Sequence, residues 1–165
     1  MSVEIVPIRK EHNEEVCRII QSVGAEFGAV GEGFGPGDAE VLDMSAHYTD
    51  DKDSLYLLAT LDGEVVGGCG VAPFSLNGKQ KAVSTCELKK LFLLPDARGL
   101  GLGKKLTLAC LEYAESKGFS RCYLDTLSSM KSAVSLYEGM GFIHLQEPLE
   151  GTIHNKCDVW MIKEL

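Results

Sequence analysis

The feature that most constrains the fold is an apolar run that ends at a proline and leads through glycines into a helix. The run is Leu91-Phe92-Leu93-Leu94-Pro95, and glycines stand at 99, 101 and 103. Pro95 ends a strand because proline cannot donate a ladder hydrogen bond. Glycines let a ligand approach the backbone, and the free amides and dipole of a helix N-terminus attract negative charge. The segment therefore predicts an anion site, and a pyrophosphate fits it.

The spacing of the glycines excludes two common phosphate-binding loops. A P-loop requires a glycine five residues before its last glycine and Ser or Thr after its lysine, and this chain has Arg98 and Lys105 there. A dinucleotide-binding loop requires G-x-G-x-x-G, whose last position is Lys104 here. The pattern that remains over residues 98–103, R-x-x-G-x-G after an apolar strand, resembles the pyrophosphate motif of the GNAT N-acetyltransferases.

A second segment strengthens the resemblance. Ala133 to Phe142 reads AVSLYEGMGF, which is similar to the last-helix pattern of that family: Ala, then Leu-Tyr, then Gly-Phe. The two motifs stand in the family's order, and the likeness covers most of the chain, although residues 24–50 and the C-terminal strands carry little of it. Where many relatives have Asn, seven residues before the tyrosine, this chain has Met130, and Ser128 or Ser129 is the candidate replacement.

The resemblance implies acetyl-CoA as cosubstrate. It implies that the amides of residues 98–104 hold the pyrophosphate and that the backbone of residues 91–93 pairs with the pantetheine arm like an added strand. The cofactor-binding residues implied are Leu91, Phe92, Leu93, Arg98, Gly99, Leu100, Gly101, Leu102, Gly103, Lys104 and Ser129.

Hydrophobic periodicity and turn residues predict the other elements. The predicted strands cover 3–8, 55–61, 64–72, 82–94, 121–127, 142–145 and 157–162, with hairpin turns at Asp62-Gly63 and Asn77-Gly78. The predicted helices contain Val16 to Val23, the segment from a cap at Asp38 to Tyr48, the face from Leu102 to Ala114, and the segment from a cap at Ser128 or Ser129 to Tyr137. We therefore expect a mixed α/β (α+β) fold in one domain over 1–165. The resemblance implies a GNAT-like, twisted and mostly antiparallel mixed sheet with about four flanking helices, in the order β-α-α-β-β-β-α-β-α-β-β.

Acetyl transfer to an amine requires a neutral nitrogen, although an alkylamine with a pKa of about 10.4 is protonated at neutral pH. Removing that proton costs about 4 kcal/mol. Glu87, four residues before Leu91 on the strand expected beside the thioester, is the candidate base, and a solvated or ion-paired strand residue is the alternative. His47 is a second candidate for the base.

The leaving thiolate needs a proton from an acid that stays protonated at neutral pH. Tyr137, which matches the family's tyrosine, is the candidate acid, and a core aromatic residue is the alternative. A strand amide near Leu93 should meet the developing oxyanion. No cysteine is expected to act as nucleophile, because transfer in this family is direct, and packing is the default role of Cys86.

An acidic stretch suggests how the acceptor is recognised. There is no Lys or Arg between Ile19 and Asp51, and the resemblance places the acceptor-binding helices in the part from Gly24 to Asp51. The candidate acceptor residues are Glu26, Glu32, Asp38 and Tyr48, which could attract a polyamine, an amino acid or an aminoglycoside. A solvated acidic face is the alternative for a chain of net charge −8.

Composition limits the classes of partner that this chain is expected to bind. A net charge of −8 opposes nonspecific nucleic-acid binding, which depends on Lys and Arg. The six cysteines form no C-x-x-C pair and the four histidines have no ligand spacing, so we expect buried free thiols and no metal. Because we see no apolar leader and no apolar run of membrane-spanning length, we expect a soluble cytoplasmic enzyme with no membrane partner. The sequence leaves open whether the chain forms a homodimer. Two other functions also stay open: a noncatalytic acyl-CoA sensor, and a protein or peptide N-acetyltransferase.

Overall fold

The computed structural model describes residues 1–74 and 84–165. Its strands are β1 (Val3–Pro7), β2 (Leu55–Leu61), β3 (Glu64–Pro73), β4 (Thr85–Leu93), β5 (Arg121–Thr126), β6 (Ile143–Leu145) and β7 (Val159–Glu164). Its α-helices are α1 (Asn13–Glu26), α2 (Met44–His47), α3 (Leu102–Ser116) and α4 (Lys131–Gly139). The order of elements confirms the predicted order. The predicted turn at Asn77-Gly78 and the predicted strand residues 82 and 83 lie outside the described residues.

The sheet is mixed and mostly antiparallel, as predicted. Its seven described strands lie in the order β1-β2-β3-β4-β5-β7-β6, and β4 and β5 are the parallel pair. These two strands pair only from Thr85 to Glu87 on β4, although β4 continues to Leu93. They therefore diverge after Glu87, and this divergence leaves strand backbone free in the middle of the sheet.

The helices cover both faces of the sheet. Neighbouring side chains of a strand point to opposite faces, and β2 shows the result. Its Tyr56 and Leu58 pack in the core cluster that contains the buried face of α1, while Leu57 and Ala59 pack in the cluster that contains the buried face of α3. The β2–β3 hairpin turns at Asp62-Gly63, where both residues have positive φ, as the sequence predicted.

Two predicted helix caps are wrong, because the capping side chains make tertiary contacts instead. The segment after Asp38 is a 3-10 turn, Ala39–Asp43, followed by the single turn of α2, and the Asp38 carboxylate accepts a hydrogen bond from Lys90. Helix α4 begins at Lys131, after Ser128 and Ser129. The Ser128 hydroxyl donates to Asp158 and the Ser129 hydroxyl donates to the carbonyl of Phe27.

Two further observations concern cysteines and membranes. All six cysteines are free thiols, as predicted, and Cys69, Cys86, Cys110 and Cys122 are buried. Within residues 1–74 and 84–165, no helix has both the length and the apolar character needed to cross a membrane.

Candidate active site

A cavity of about 470 Å³ lies between the end of β4, the glycine loop and the start of α4. Ten of the eleven predicted cofactor residues line it, and the remaining one, Leu100, is 41% exposed on the same loop. The lining residues from the prediction are Leu91, Phe92, Leu93, Arg98, Gly99, Gly101, Leu102, Gly103, Lys104 and Ser129. The structure thus brings the two sequence motifs together around one space.

The glycine loop depends on backbone conformations that suit glycine. Gly99 and Gly101 have φ of 79° and 78°, and an added Cβ at either position would meet nothing within 4 Å. The backbone angle alone therefore disfavours a side chain there. Gly101 is the N-cap of α3, and the amide of Lys105 bonds to its carbonyl. The amides of residues 102–104 precede the first intrahelical bond, so they are free for an anion.

Arg98 fixes the loop to its surroundings. Its guanidinium donates to the carbonyl of Leu93 at 2.9 and 3.1 Å and to both carboxylate oxygens of Glu26 at 2.6 and 3.0 Å. It also lies 5.3 Å from the ring centre of Phe27. The hydrogen bond from Arg98 holds the pKa of Glu26 below its usual value. Glu26, a candidate acceptor residue from the sequence, is therefore paired with Arg98, which lines the larger cavity, the candidate cofactor cavity.

A second, smaller cavity of about 60 Å³ adjoins the first. Both cavities are lined by Leu91, Phe92, Met130 and Ala133, so these four residues form a shared wall. Glu87 and Tyr137, the two residues that the sequence proposed for proton transfer, both line the smaller cavity. The smaller cavity is therefore the candidate acceptor site, and Met130, at the family's Asn position, lies between the two spaces.

Tyr137 combines a buried ring with a wall position in the acceptor cavity. It is 6% exposed, and its ring packs against that of Phe142 with 5.7 Å between centres. Burial raises the pKa of Tyr137 well above its ordinary value, so the phenol keeps its proton at any physiological pH. This protonation state suits an acid, and the packing equally suits a core aromatic residue.

Glu87 is a buried carboxyl with a raised pKa. It is 9% exposed, and burial raises its pKa to about 7, with Asp125 also raising it and Lys89, His154 and Lys90 lowering it. The ring Nδ1 of His154 lies 3.8 Å from a carboxylate oxygen of Glu87. A carboxyl that titrates near neutral pH accepts and returns a proton easily, which is the property that a general base needs.

A network of buried charges surrounds Glu87, and the sequence did not predict it. We call it the charged cluster, and its members are Asp38, Glu40, Glu87, Lys89, Lys90, Asp125 and His154. His154, from the segment between β6 and β7, contacts Asp125 through Nδ1 and Asp38 through Nε2, both at 2.7 Å. Burial alone would lower the pKa of His154, but the hydrogen bonds to Asp125 and Asp38 raise it to about 10. The ring is therefore an imidazolium at neutral pH.

The other half of the charged cluster contains two lysines. The Lys90 ammonium lies 2.8 Å from Asp38 and 3.3 Å from Glu40, and Lys89 donates to Glu40 at 3.0 Å. Burial opposes ionisation of Glu40, but Lys90 and Lys89 hold its pKa at about 2. The buried hydroxyl of Tyr48 donates to the same carboxylate. The cluster thus joins β4 to the acidic segment before β2.

The structure separates the other sequence candidates. Asp38 belongs to the charged cluster and Tyr48 contacts it, whereas Glu32 and His47 are exposed. Residues 24–50 contribute mainly apolar lining to the acceptor cavity: Ala29, Phe34, Gly35 and Pro36. Phe34 and Pro36 carried no sequence signal for this role. Asp125 carried a weak signal, because it is a lone carboxylate directly after the buried run Cys122 to Leu124 of its strand.

Three members of the charged cluster have the residue types of a metal site. The ligand atoms of Glu87, Asp125 and His154 lie within 4.8 Å of one another. Both ring nitrogens of His154 contact carboxylates, and a doubly protonated ring has no lone pair for a metal ion. The arrangement favours a salt-bridged imidazolium, and the absence of a metal stays a prediction.

Comparison with known proteins shows the class to which this fold and these cavities belong. Residues 26–142 match the model of the acetyltransferase (GNAT) family. The chain is 39% identical over 156 residues to uncharacterized N-acetyltransferase YjgM of Escherichia coli (strain K12), covering 94% of this chain and 90% of that protein. The chain therefore belongs to the GNAT acetyltransferase family and is an acyl-CoA-dependent N-acetyltransferase.

Two solved structures show the same fold. A GNAT acetyltransferase from Staphylococcus aureus Mu50 superposes with a TM-score of 0.82 at 21% identity, covering 99% of both chains. The PaiA N-acetyltransferase of Thermoplasma acidophilum, solved in complex with coenzyme A, superposes with a TM-score of 0.76 at 20% identity, covering 100% of both chains. These likenesses confirm the predicted fold class.

Proposed function

We propose that this chain transfers an acetyl group from acetyl-CoA to a primary amine of a small molecule by direct attack in a ternary complex. The observation that carries the proposal is the shared wall: the cavity built by the two family motifs adjoins a second cavity that contains Glu87 and Tyr137. We keep the single domain over 1–165 and the cytoplasmic location as predictions.

The large cavity fits the cosubstrate. Free amides at the start of α3 suit a pyrophosphate, and the unpaired edge of β4 after Glu87 suits an extended pantetheine arm along residues 91–93. When bound there, acetyl-CoA supplies the activated acyl carbon and a thiolate leaving group. A strand amide near Leu93 is our candidate for the oxyanion contact.

Residues that line the small cavity carry out the proton transfers in this proposal. Glu87, with a pKa of about 7, removes the proton from the acceptor ammonium, directly or through a water. Tyr137, held protonated by burial, returns a proton to the departing sulfur. At neutral pH Tyr137 is thus protonated, whereas a substantial fraction of Glu87 is ionised and able to accept a proton.

The size of the acceptor cavity favours a small molecule over a peptide. The acceptor cavity has a volume of about 60 Å³, against about 470 Å³ for the cofactor cavity, which suits a small amine. A peptide N-acetyltransferase would need an open groove. The third reading, an acyl-CoA sensor, would have no use for an acid and a base at the shared wall.

A thiol-release assay tests the proposal. Acetyl-CoA is incubated with amines, amino acids, aminoglycosides and peptides, and free CoA is measured. Tyr137→Phe should lower turnover about a hundredfold while leaving the calorimetric affinity for CoA unchanged, because it removes only the acid. Tyr113→Phe, a tyrosine on α3 that bonds Asp50, is the matched control and should keep full turnover. CoA binding without thiol release for any acceptor would support the sensor instead.

A further inference from the structure

The charged cluster contains one more carboxylate than it has cations. Asp38, Glu40, Glu87 and Asp125 face Lys89, Lys90 and His154, so the cluster has a charge of −1 when every member is ionised. A buried charge without an opposite charge beside it is energetically costly. The carboxylate that lacks a cation partner is therefore the one that a ligand cation would stabilise. The question is which carboxylate is uncompensated.

The contacts identify Glu87 as the carboxylate without a close cation. Asp38, Glu40 and Asp125 each contact a cation at 2.7 to 3.0 Å. Among the described residues, the one cation within 4 Å of Glu87 is His154, at 3.8 Å, which exceeds hydrogen-bond distance. Glu87 also lines the acceptor cavity, where a ligand would reach it.

Each cation of the charged cluster already contacts a carboxylate of the cluster. Lys89 contacts Glu40, Lys90 contacts Asp38 and Glu40, and His154 contacts Asp38 and Asp125. A ligand carboxylate that entered the cavity would therefore find the described cations occupied. It would also lose its water beside Glu87 and Asp125, which are both cavity lining.

Resting on the proposed function, we propose that the acceptor binds as an ammonium cation without an α-carboxylate, with Glu87 as its counterion. The remaining lining from residues 24–50, Phe34 and Pro36 among it, offers the carbon skeleton an apolar surface. The proposal thus selects simple amines over amino acids as the substrate class.

Matched pairs that differ by one carboxylate test this selection. Tyramine is compared with tyrosine and cadaverine with lysine at pH 8.5, where Glu87, whose pKa is about 7, is ionised and the amines are protonated. We expect the value of kcat/KM to be at least a hundredfold higher for the amine of at least one pair. Equal values, or a preference for the amino acid in both pairs, would overturn the inference.

Calorimetry separates this inference from the proposed function. Each compound is titrated into the protein saturated with CoA. If no compound is acetylated but an amine binds at least tenfold more tightly than its amino acid, the inference stands and the catalytic proposal fails. If no amine binds more tightly than its amino acid, the inference fails, whatever the thiol-release assay shows.

A single substitution should relax the discrimination. Glu40→Gln removes the carboxylate that Lys89 contacts, while an amide can still accept from Tyr48, so a lysine becomes available to a ligand carboxylate. The amine preference should fall at least tenfold. Asp38→Asn, which removes one of the two carboxylates that Lys90 and His154 each contact, provides a second variant if Glu40→Gln does not fold. Glu64→Gln, at an exposed end of β3, is the control and should keep the full preference. An unchanged preference in folded Glu40→Gln and Asp38→Asn would contradict the role of charge compensation.

Discussion

The two cavities of the active site are built in different ways. The cofactor cavity is lined mainly by two segments, residues 91–104 and 129–136, and its proposed anion site consists of backbone amides in a loop set by φ at Gly99 and Gly101. The acceptor cavity depends on charged side chains from four distant parts of the chain, represented by Asp38, Glu87, Asp125 and His154. One cavity is therefore defined by backbone conformation and the other by buried charge.

This difference predicts different sensitivities to mutation. A backbone site tolerates many side chains but is sensitive to the loss of a glycine conformation. A site of paired buried charges is sensitive to the loss of any one partner, because the remaining charge stays buried without compensation. Substitutions at the acceptor cavity should accordingly have the larger effects.

The largest effect is expected for Glu87→Gln, which keeps the shape of the side chain and removes its basicity. The value of kcat/KM should fall by roughly a hundredfold to ten-thousandfold, the usual contribution of a general base. In the unsubstituted enzyme kcat/KM should rise with pH as Glu87 ionises near pH 7, and this rise should be missing in the variant. Glu112→Gln, on an exposed position of α3, should keep the rise. A pH profile of Glu87→Gln that still rises near pH 7 would assign the base to another group.

The next effect concerns stability. His154→Gln removes the imidazolium between Asp38 and Asp125, and breaking a buried ion pair costs about 3 kcal/mol or more. The pKa of His154 is about 10 in the folded protein and about 6.5 in an unfolded chain, so its contribution is complete below pH 6.5 and is lost as the pH rises toward 10. In urea unfolding, the stability gap between the two proteins should be largest near pH 6 and should shrink by pH 10. His144→Gln, at an exposed pair with Glu138, should show no gap at either pH. A gap that stays constant from pH 6 to pH 10 would mean that His154 acts through packing alone.

A smaller effect is expected at the backbone site. An added Cβ at Gly101 would meet no other atom within 4 Å, but Gly101→Val forces a β-branched residue to φ of 78°, at a cost of about 1–2 kcal/mol. We expect calorimetry to show an affinity for CoA about tenfold weaker and acceptor discrimination unchanged. Gly139→Ala, at the end of α4, is the control because its added Cβ meets nothing and its φ is not positive. An unchanged CoA affinity in Gly101→Val would show that the loop conformation is not needed for binding.

The same difference between the two cavities explains which of their features could be predicted from the sequence. The cofactor cavity was predictable because its determinants are neighbours in the chain: a strand, a proline and glycines at fixed spacing. The hairpin of β2 and β3 was predictable for the same reason, since Asp62-Gly63 sets the turn locally. The positions of Glu87 and Tyr137 at one cavity followed from family motifs and strand order, and their chemical roles stay predictions.

The charged cluster was not predictable because its contacts span large sequence distances. His154 meets Asp125 across 29 residues and Asp38 across 116 residues. A lone histidine in an irregular segment has neither periodicity nor spacing to mark it. Asp38 was singled out, but local reasoning assigned its carboxylate to a helix cap, and the tertiary contacts with Lys90 and His154 prevailed.

The smallest effect should come from the ion pair between Arg98 and Glu26 at the cofactor cavity. Glu26→Gln removes a partly exposed charge, and exposed pairs contribute little because water screens them. The amide can still accept from Arg98, which also keeps its two contacts with the Leu93 carbonyl. We expect CoA affinity and acceptor KM to change by less than threefold, whereas Asp38→Asn, an acid from the same stretch that lies in the charged cluster, should raise acceptor KM by tenfold or more. Equal effects of the two substitutions would mean that the acidic stretch acts as a diffuse field, and that the contrast between a backbone site and a buried-charge site does not describe this enzyme.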